Sequence, residues 1–174
     1  MEFLFLSETE FHNLGEVKLS RDNLVWTVLD WGYDFEIQFE AMVNSEIPQD
    51  WSSVFYMTTL DHSSGAVGSR LPNFMVNNRE KKFDICFSVN GDDNFCVHHE
   101  YQLNQWYHFQ ISQFMIPNTD KGQYRIKVNC KTVHETLNSQ PRSFPEAKLY
   151  LSNPWIPSLG SYGTMSNLTI TKEG

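Results

Sequence analysis

Residues 141–171 read PRSFPEAKLYLSNPWIPSLGSYGTMSNLTIT, and the fold is decided there. Ala147, Leu149 and Leu151 fall on one side of an extended run, with Lys148, Tyr150 and Ser152 on the other. Period two with a single apolar face marks a strand buried on one side, as in an antiparallel sheet. A loop rich in proline and glycine follows, from Asn153 through Trp155 to Gly163. A last strand then runs from Thr164 to Thr171, with Leu168 and Ile170 facing one way and Asn167 and Thr169 the other. A chain that ends in this way closes a β-sandwich.

Working outward, the same period recurs. Phe35, Ile37, Phe39 and Ala41 alternate with polar residues, as do Tyr124, Ile126 and Val128. Trp106–Ser112 alternates more loosely. Strands are expected near residues 3–7, 16–20, 24–29, 33–43, 53–59, 73–77, 82–90, 94–98, 106–113, 123–129, 131–135, 147–152 and 165–171. No window of helical length carries a 3.6-residue stripe, so the chain is expected to be all-β. The 174 residues form most economically one domain, 1–174. The irregular stretches 44–50, 61–71, 117–122 and 137–146 are expected to be surface loops, where binding groups gather.

Composition excludes more than it assigns. Hydrophobic residues make up 40% of the chain and aromatic residues 14%, which is enough for a core and too apolar for disorder. A net charge of −8 leaves no basic footprint for nucleic acid or anionic lipid. No apolar run approaches the ~20 residues of a membrane span. Met1–Ser7 lacks the basic start and apolar length of a signal peptide, and Phe3, Phe5 and Phe11 read as an opening strand. Two settings are therefore left: a cytoplasmic protein, or a piece of a longer secreted one.

Cys86 and Cys96 flank the turn cluster Asn90-Gly91-Asp92-Asp93-Asn94. If the hairpin centres near Gly91, the two thiols face each other on adjacent strands. They are then either a disulfide, which implies an oxidising compartment, or two buried thiols. Cys130 is left over, at a strand end.

Taken in order, Tyr33–Glu40, Leu103–Phe109, Gln123–Val133, Leu149–Ser152 and Gly163–Ile170 resemble the concanavalin A-like lectin/glucanase superfamily, in its laminin-G-like and pentraxin-like branch. The resemblance implies an all-β jelly roll of two antiparallel sheets, with the Trp106 segment sending a large ring into the core. Asn129-Cys130-Lys131 stands where that superfamily usually turns on Asn-Gly. A rim calcium site is also implied. Asp92, Asp93 and Asn94, with Asp61 from another loop, are the candidate ligands, and calcium is the one cofactor expected. These residues are equally ordinary turn formers. The superfamily's glucanases carry a Glu-Ile-Asp-x-x-Glu strand, which Glu36-Ile37-Gln38-Phe39-Glu40 matches only in outline. Two carboxylates four residues apart on a strand are separated by roughly 13 Å, against about 5.5 Å for a retaining pair. No catalytic residue is assigned. The His-x-Asn-x-Arg run of galectins is absent.

The loop aromatics Trp51, Trp155 and Tyr162 and the cation Arg70 are the candidate ligand-binding residues, because ring faces stack on sugars or anchor protein partners. The structural alternative has Trp155 plugging one end of the sandwich and Arg70 capping a sheet. His98 and His99 are neighbours on a strand, so they point to opposite faces. Asn167-Leu168-Thr169 is an N-glycosylation sequon on the outward side of the last strand. Together these residues point to a non-catalytic extracellular or cell-surface module that binds a glycan or a protein. The alternatives are an assembly domain without sugar affinity and, last, a glycan hydrolase.

Overall fold

The computed structural model of the chain describes residues 8–12, 19–20, 23–60, 65–153 and 155–172. Twelve strands lie among them: β1 (Glu8–His12), β2 (Leu24–Trp31), β3 (Phe35–Val43), β4 (Trp51–Thr58), β5 (Asn73–Asn77), β6 (Lys82–Val89), β7 (Asp92–Glu100), β8 (Tyr107–Met115), β9 (Gly122–Val128), β10 (Lys131–Asn138), β11 (Phe144–Tyr150) and β12 (Gly163–Lys172). A single 3₁₀ turn, Gly160–Tyr162, precedes β12.

The strands form two six-stranded sheets, β1-β12-β3-β8-β9-β10 and β2-β11-β4-β5-β6-β7. All the pairings within them are antiparallel. The closing stretch ties them together. β11 enters the second sheet between β2 and β4, and β12 enters the first between β1 and β3. The chain therefore crosses from one sheet to the other through the loop that holds Trp155. The expected two-sheet jelly roll is what forms.

Alternation builds the core. Phe35, Ile37, Phe39 and Ala41 of β3, and Tyr124, Ile126 and Val128 of β9, are all buried on the inner face of the first sheet. Phe39 meets Phe55 at 4.9 Å and Phe74 at 4.8 Å, both edge-on, and stacks on Phe109 at 5.0 Å. Phe55 and Phe74 belong to the second sheet, so this ring cluster is what holds the two layers face to face. Aromatic pairs in these geometries are worth about 0.5–1.5 kcal/mol each beyond the area they bury.

Two expectations are corrected. Trp106 does not enter the core: its ring is 41% exposed. It precedes β8 and shares parity with His108 and Gln110 of the polar face, so Tyr107, Phe109 and Ile111 supply the core residues instead. Trp155 does not plug the sandwich end; its ring stands edge-on to Tyr56 at 5.4 Å, outside the second sheet. The strand expected over residues 3–7 and most of that over 16–20 lie outside the described residues.

Candidate binding groove

Register fixes which side chains share the outer face of the second sheet. Ser53, Met75, Asp84 and His98 form one row across β4–β5–β6–β7. Tyr56, Asn73, Cys86 and Cys96 form a second, and Trp51, Asn77, Lys82 and Glu100 a third. Cys86 and Cys96 are joined in a disulfide, with Cα atoms 4.1 Å apart. Their pairing depends on a bulge. Asn90 and Gly91 form a two-residue turn with φ of 54° and 80°, which puts Val89 opposite Asp92. An unbroken ladder would then place Cys86 opposite Phe95. The register shift between Phe87 and Val89 inserts one extra residue in β7 and brings Cys96 into line.

This outer face is not an open sheet. Tyr56, Thr58, Asn73, Asp84 and Cys86 are all buried. The crossover loop covers one side: Ser53 N donates to Pro157 O at 2.8 Å, and Leu159 N donates to Ser53 O at 2.9 Å, so residues 157–159 extend the sheet where β11 has ended. That anchorage brings Trp155 onto Tyr56 and Ile156 to the edge of the face. From the other side comes Arg70. Its carbonyl accepts the Ser88 amide at 3.1 Å, and its guanidinium donates through Nη1 to the Asp93 carbonyl at 3.2 Å, with the Asp93 carboxylate at 3.8 Å.

Between these walls lies a groove of about 340 Å³, lined by Trp51, Arg70, Met75, Asp84, Asn94, His98, Ile156 and the disulfide. Trp51 opens β4 at its rim and is 40% exposed. Asp84 forms the floor. Its side chain is 1% exposed; Oδ1 sits 2.5 Å from His98 Nδ1, and Oδ2 has no partner among the described residues. Arg70 Nε is likewise buried and unpartnered among them. Buried polar atoms are nearly always satisfied, and a carboxylate oxygen in an apolar strand is costly to leave otherwise. One unpaired acceptor and one unpaired donor thus belong to residues that line the same groove. Burial raises the pKa of the Tyr56 phenol, against smaller lowering effects from Arg70 and a hydrogen bond with Thr58. The phenol is therefore a neutral group beside the floor.

The structure brings together some of the expected site residues and separates others. Trp51, Arg70 and Asn94 line the groove, and Trp155 flanks it next to Ile156. Tyr162 lies elsewhere, in the 3₁₀ turn, where its carbonyl accepts the Asn44 amide at 2.7 Å. The acidic cluster is divided: Asp92 Oδ1 accepts the Asn94 amide at 2.9 Å while Asp93 faces Arg70. Asp61 lies outside the described residues. No group of three His, Cys, Asp or Glu side chains suited to a metal occurs among the described residues. Asn167 is exposed at a bulge in β12 with φ of 55°, and its Nδ2 donates to Glu40 at 2.7 Å. Cys130 is exposed and free. Asp84 and His98, central to the groove, were not among the residues expected from the sequence.

On the opposite side of the sandwich, the first sheet carries Glu36 and Glu40 on its outer face. Amides hold both: Gln38 and Gln110 donate to Glu36, the latter at 2.5 Å, and Asn167 donates to Glu40.

No protein-family model matches the sequence. No curated protein is similar to it in sequence. Solved structures are similar in fold. The receptor-binding domain of botulinum neurotoxin D superposes with a TM-score of 0.60 at 9% identity, over 96% of this chain and 44% of that one. The fold is the lectin-like jelly roll. The heptameric pentraxin of Limulus polyphemus shares this jelly roll with a TM-score of 0.55 at 10% identity, over 89% of this chain and 74% of that one. Trypanosoma rangeli sialidase in complex with sialic acid aligns with a TM-score of 0.55 at 14% identity, over 82% of this chain but 21% of its own. The chain spans less than half the length of the toxin domain. A jelly roll of this kind hosts many functions, so the fold alone assigns none.

Proposed function

We propose that the chain is a non-catalytic recognition module that binds a glycan in the groove of its second sheet. The observation that carries this reading is the unpartnered Asp84 Oδ2, a buried acceptor on a residue that lines the groove together with Arg70, whose Nε is an unpartnered donor, and the exposed Trp51. A sugar presents hydroxyls that donate and accept at once, next to an apolar ring face. Asp84 would accept a hydrogen bond from a hydroxyl, Arg70 would donate one, and Trp51 would stack. Buried polar groups left unpaired without the right ligand are also what make such a site selective.

Two further observations support the reading. The carboxylates of the first sheet lie on one strand, each bonded to side-chain amides, rather than facing each other across a cleft. The toxin domain that shares the jelly roll is a receptor-binding domain. A Cys86–Cys96 disulfide fits an extracellular setting, and among the described residues no helix is long and apolar enough to cross a membrane.

A glycan array probed with the purified domain, in calcium and in EDTA, tests the proposal. Binding is expected, with Trp51→Ala lowering affinity about tenfold or more while thermal unfolding is unchanged. Binding that EDTA abolishes and Asp92→Ala removes would move the site to the turn beside the groove. No glycan signal from well-folded protein would overturn the reading in favour of a protein partner.

A further inference from the structure

A second opening lies at one end of the sandwich, between the sheets. It encloses about 40 Å³, and its walls include the rings of Trp31, Phe35, Tyr124 and Phe144 and the side chains of Arg70 and Arg142. No aspartate or glutamate is among its described lining residues, on a protein whose net charge is −8.

Its hydrogen-bonding groups are lopsided. Three of the amide oxygens at the opening are already in use. Asn138 Oδ1 accepts the amides of Asn90 and Gln140 at 3.2 Å and 3.1 Å, and Asn90 Oδ1 accepts the Ser139 amide at 2.6 Å. Gln113 Oε1 accepts from Asn138 Nδ2 at 2.7 Å. Three other groups there can donate. The Tyr124 hydroxyl is fully buried in the opening with no partner among the described residues, and the Ser88 hydroxyl at its border is likewise unpartnered. Arg142 is exposed and makes no ion pair among the described residues, whereas Arg70 is already engaged with Asp93. Burial holds the pKa of the Tyr124 phenol well above its ordinary value, so it keeps its proton.

We propose that this opening binds a small organic carboxylate, its head group between Arg142 and the Tyr124 hydroxyl and its apolar body against Phe144. A carboxylate accepts only, which matches a site whose free groups donate. The enclosed volume suits a head group of that size, since about 10–15 Å³ of such space holds one water. The rest of the ligand would lie over the exposed rim. This site is separate from the glycan groove; Arg70 is the wall they share.

The probe is sodium benzoate, with benzamide as its uncharged isostere, read from amide proton–nitrogen spectra of the whole domain. Benzoate is expected to shift the signals of Asn90, Gln140 and Phe144 and to leave Met75 and His98 unmoved. Arg142→Gln, in an exposed loop, should weaken binding about tenfold. Tyr124→Phe keeps the ring that stacks on Phe87 at 4.0 Å and should weaken binding about threefold. Equal binding of benzamide, wild-type affinity in Arg142→Gln, shifts confined to the groove, or no shifts at millimolar benzoate would each overturn the proposal.

Discussion

His134 shows how one side chain ties this fold to pH. Its Nε2 is buried without a partner among the described residues, and its ring lies 5.2 Å from Phe95 and 6.1 Å from Phe87. Burial lowers its pKa, and burial lowers that of His99 as well, against a smaller opposing effect of Glu100. The folded chain thus favours neutral rings, and the unfolded chain takes up protons first. The stabilisation is complete above the ordinary imidazole range, about 6.5, and is lost as pH falls through the depressed folded values. The urea midpoint should fall between about pH 7 and pH 5, and His134→Phe should shrink that fall. An equal fall in the variant would contradict the assignment. Legibility at this scale was uneven. Trp51 and Arg70 stood out as a loop ring and a loop cation. Asp84 did not, because Phe83, Ile85 and Phe87 around it read as core, and alternation says which side a residue faces without saying what covers that side.

Strands were legible because each one carries its own evidence. Asn73–Asn77 coincides with the expected span, and most others end within three residues of it. Period two survives wherever one face packs on the other sheet. Turns were legible where their chemistry is local. The pairing of Cys86 with Cys96 follows from a turn near Gly91, although the sequence does not show that a bulge completes the register. At the β9–β10 turn, Asn129 and Cys130 have φ of 50° and 65°, the left-handed values of a two-residue hairpin turn. Asn129 tolerates that conformation; at Cys130 the Cβ crowds the carbonyl oxygen, which costs about 1–2 kcal/mol. Cys130→Gly should therefore stabilise the domain by about 1 kcal/mol, raising the unfolding midpoint by roughly 2–4 °C. An unchanged or lower midpoint would show that the turn is not strained.

At the scale of the molecule, little of the groove could be read in advance. Sheet order decides that Asp84 of β6 lies between Met75 of β5 and His98 of β7, and that order is set by long-range pairing. The groove's walls are a crossover loop near the end of the chain and a loop before β5, more than eighty residues apart in sequence. Only when β11 stops and residues 157–159 take its place beside β4 does a flat sheet become a groove. The proposed site therefore lies on one face of the sandwich, while on the other face Glu36 and Glu40 are bonded to neighbouring amides. The most direct measurement is a map of amide shifts as the strongest glycan from the array is titrated into the whole domain. The signals of Met75, Asp84, Cys96 and His98 should move together, with the same dissociation constant, and Asp84→Asn should abolish the movement. Shifts at Gln38, Gln110 and Lys127 with the groove unmoved would place the site on the first sheet and contradict this account.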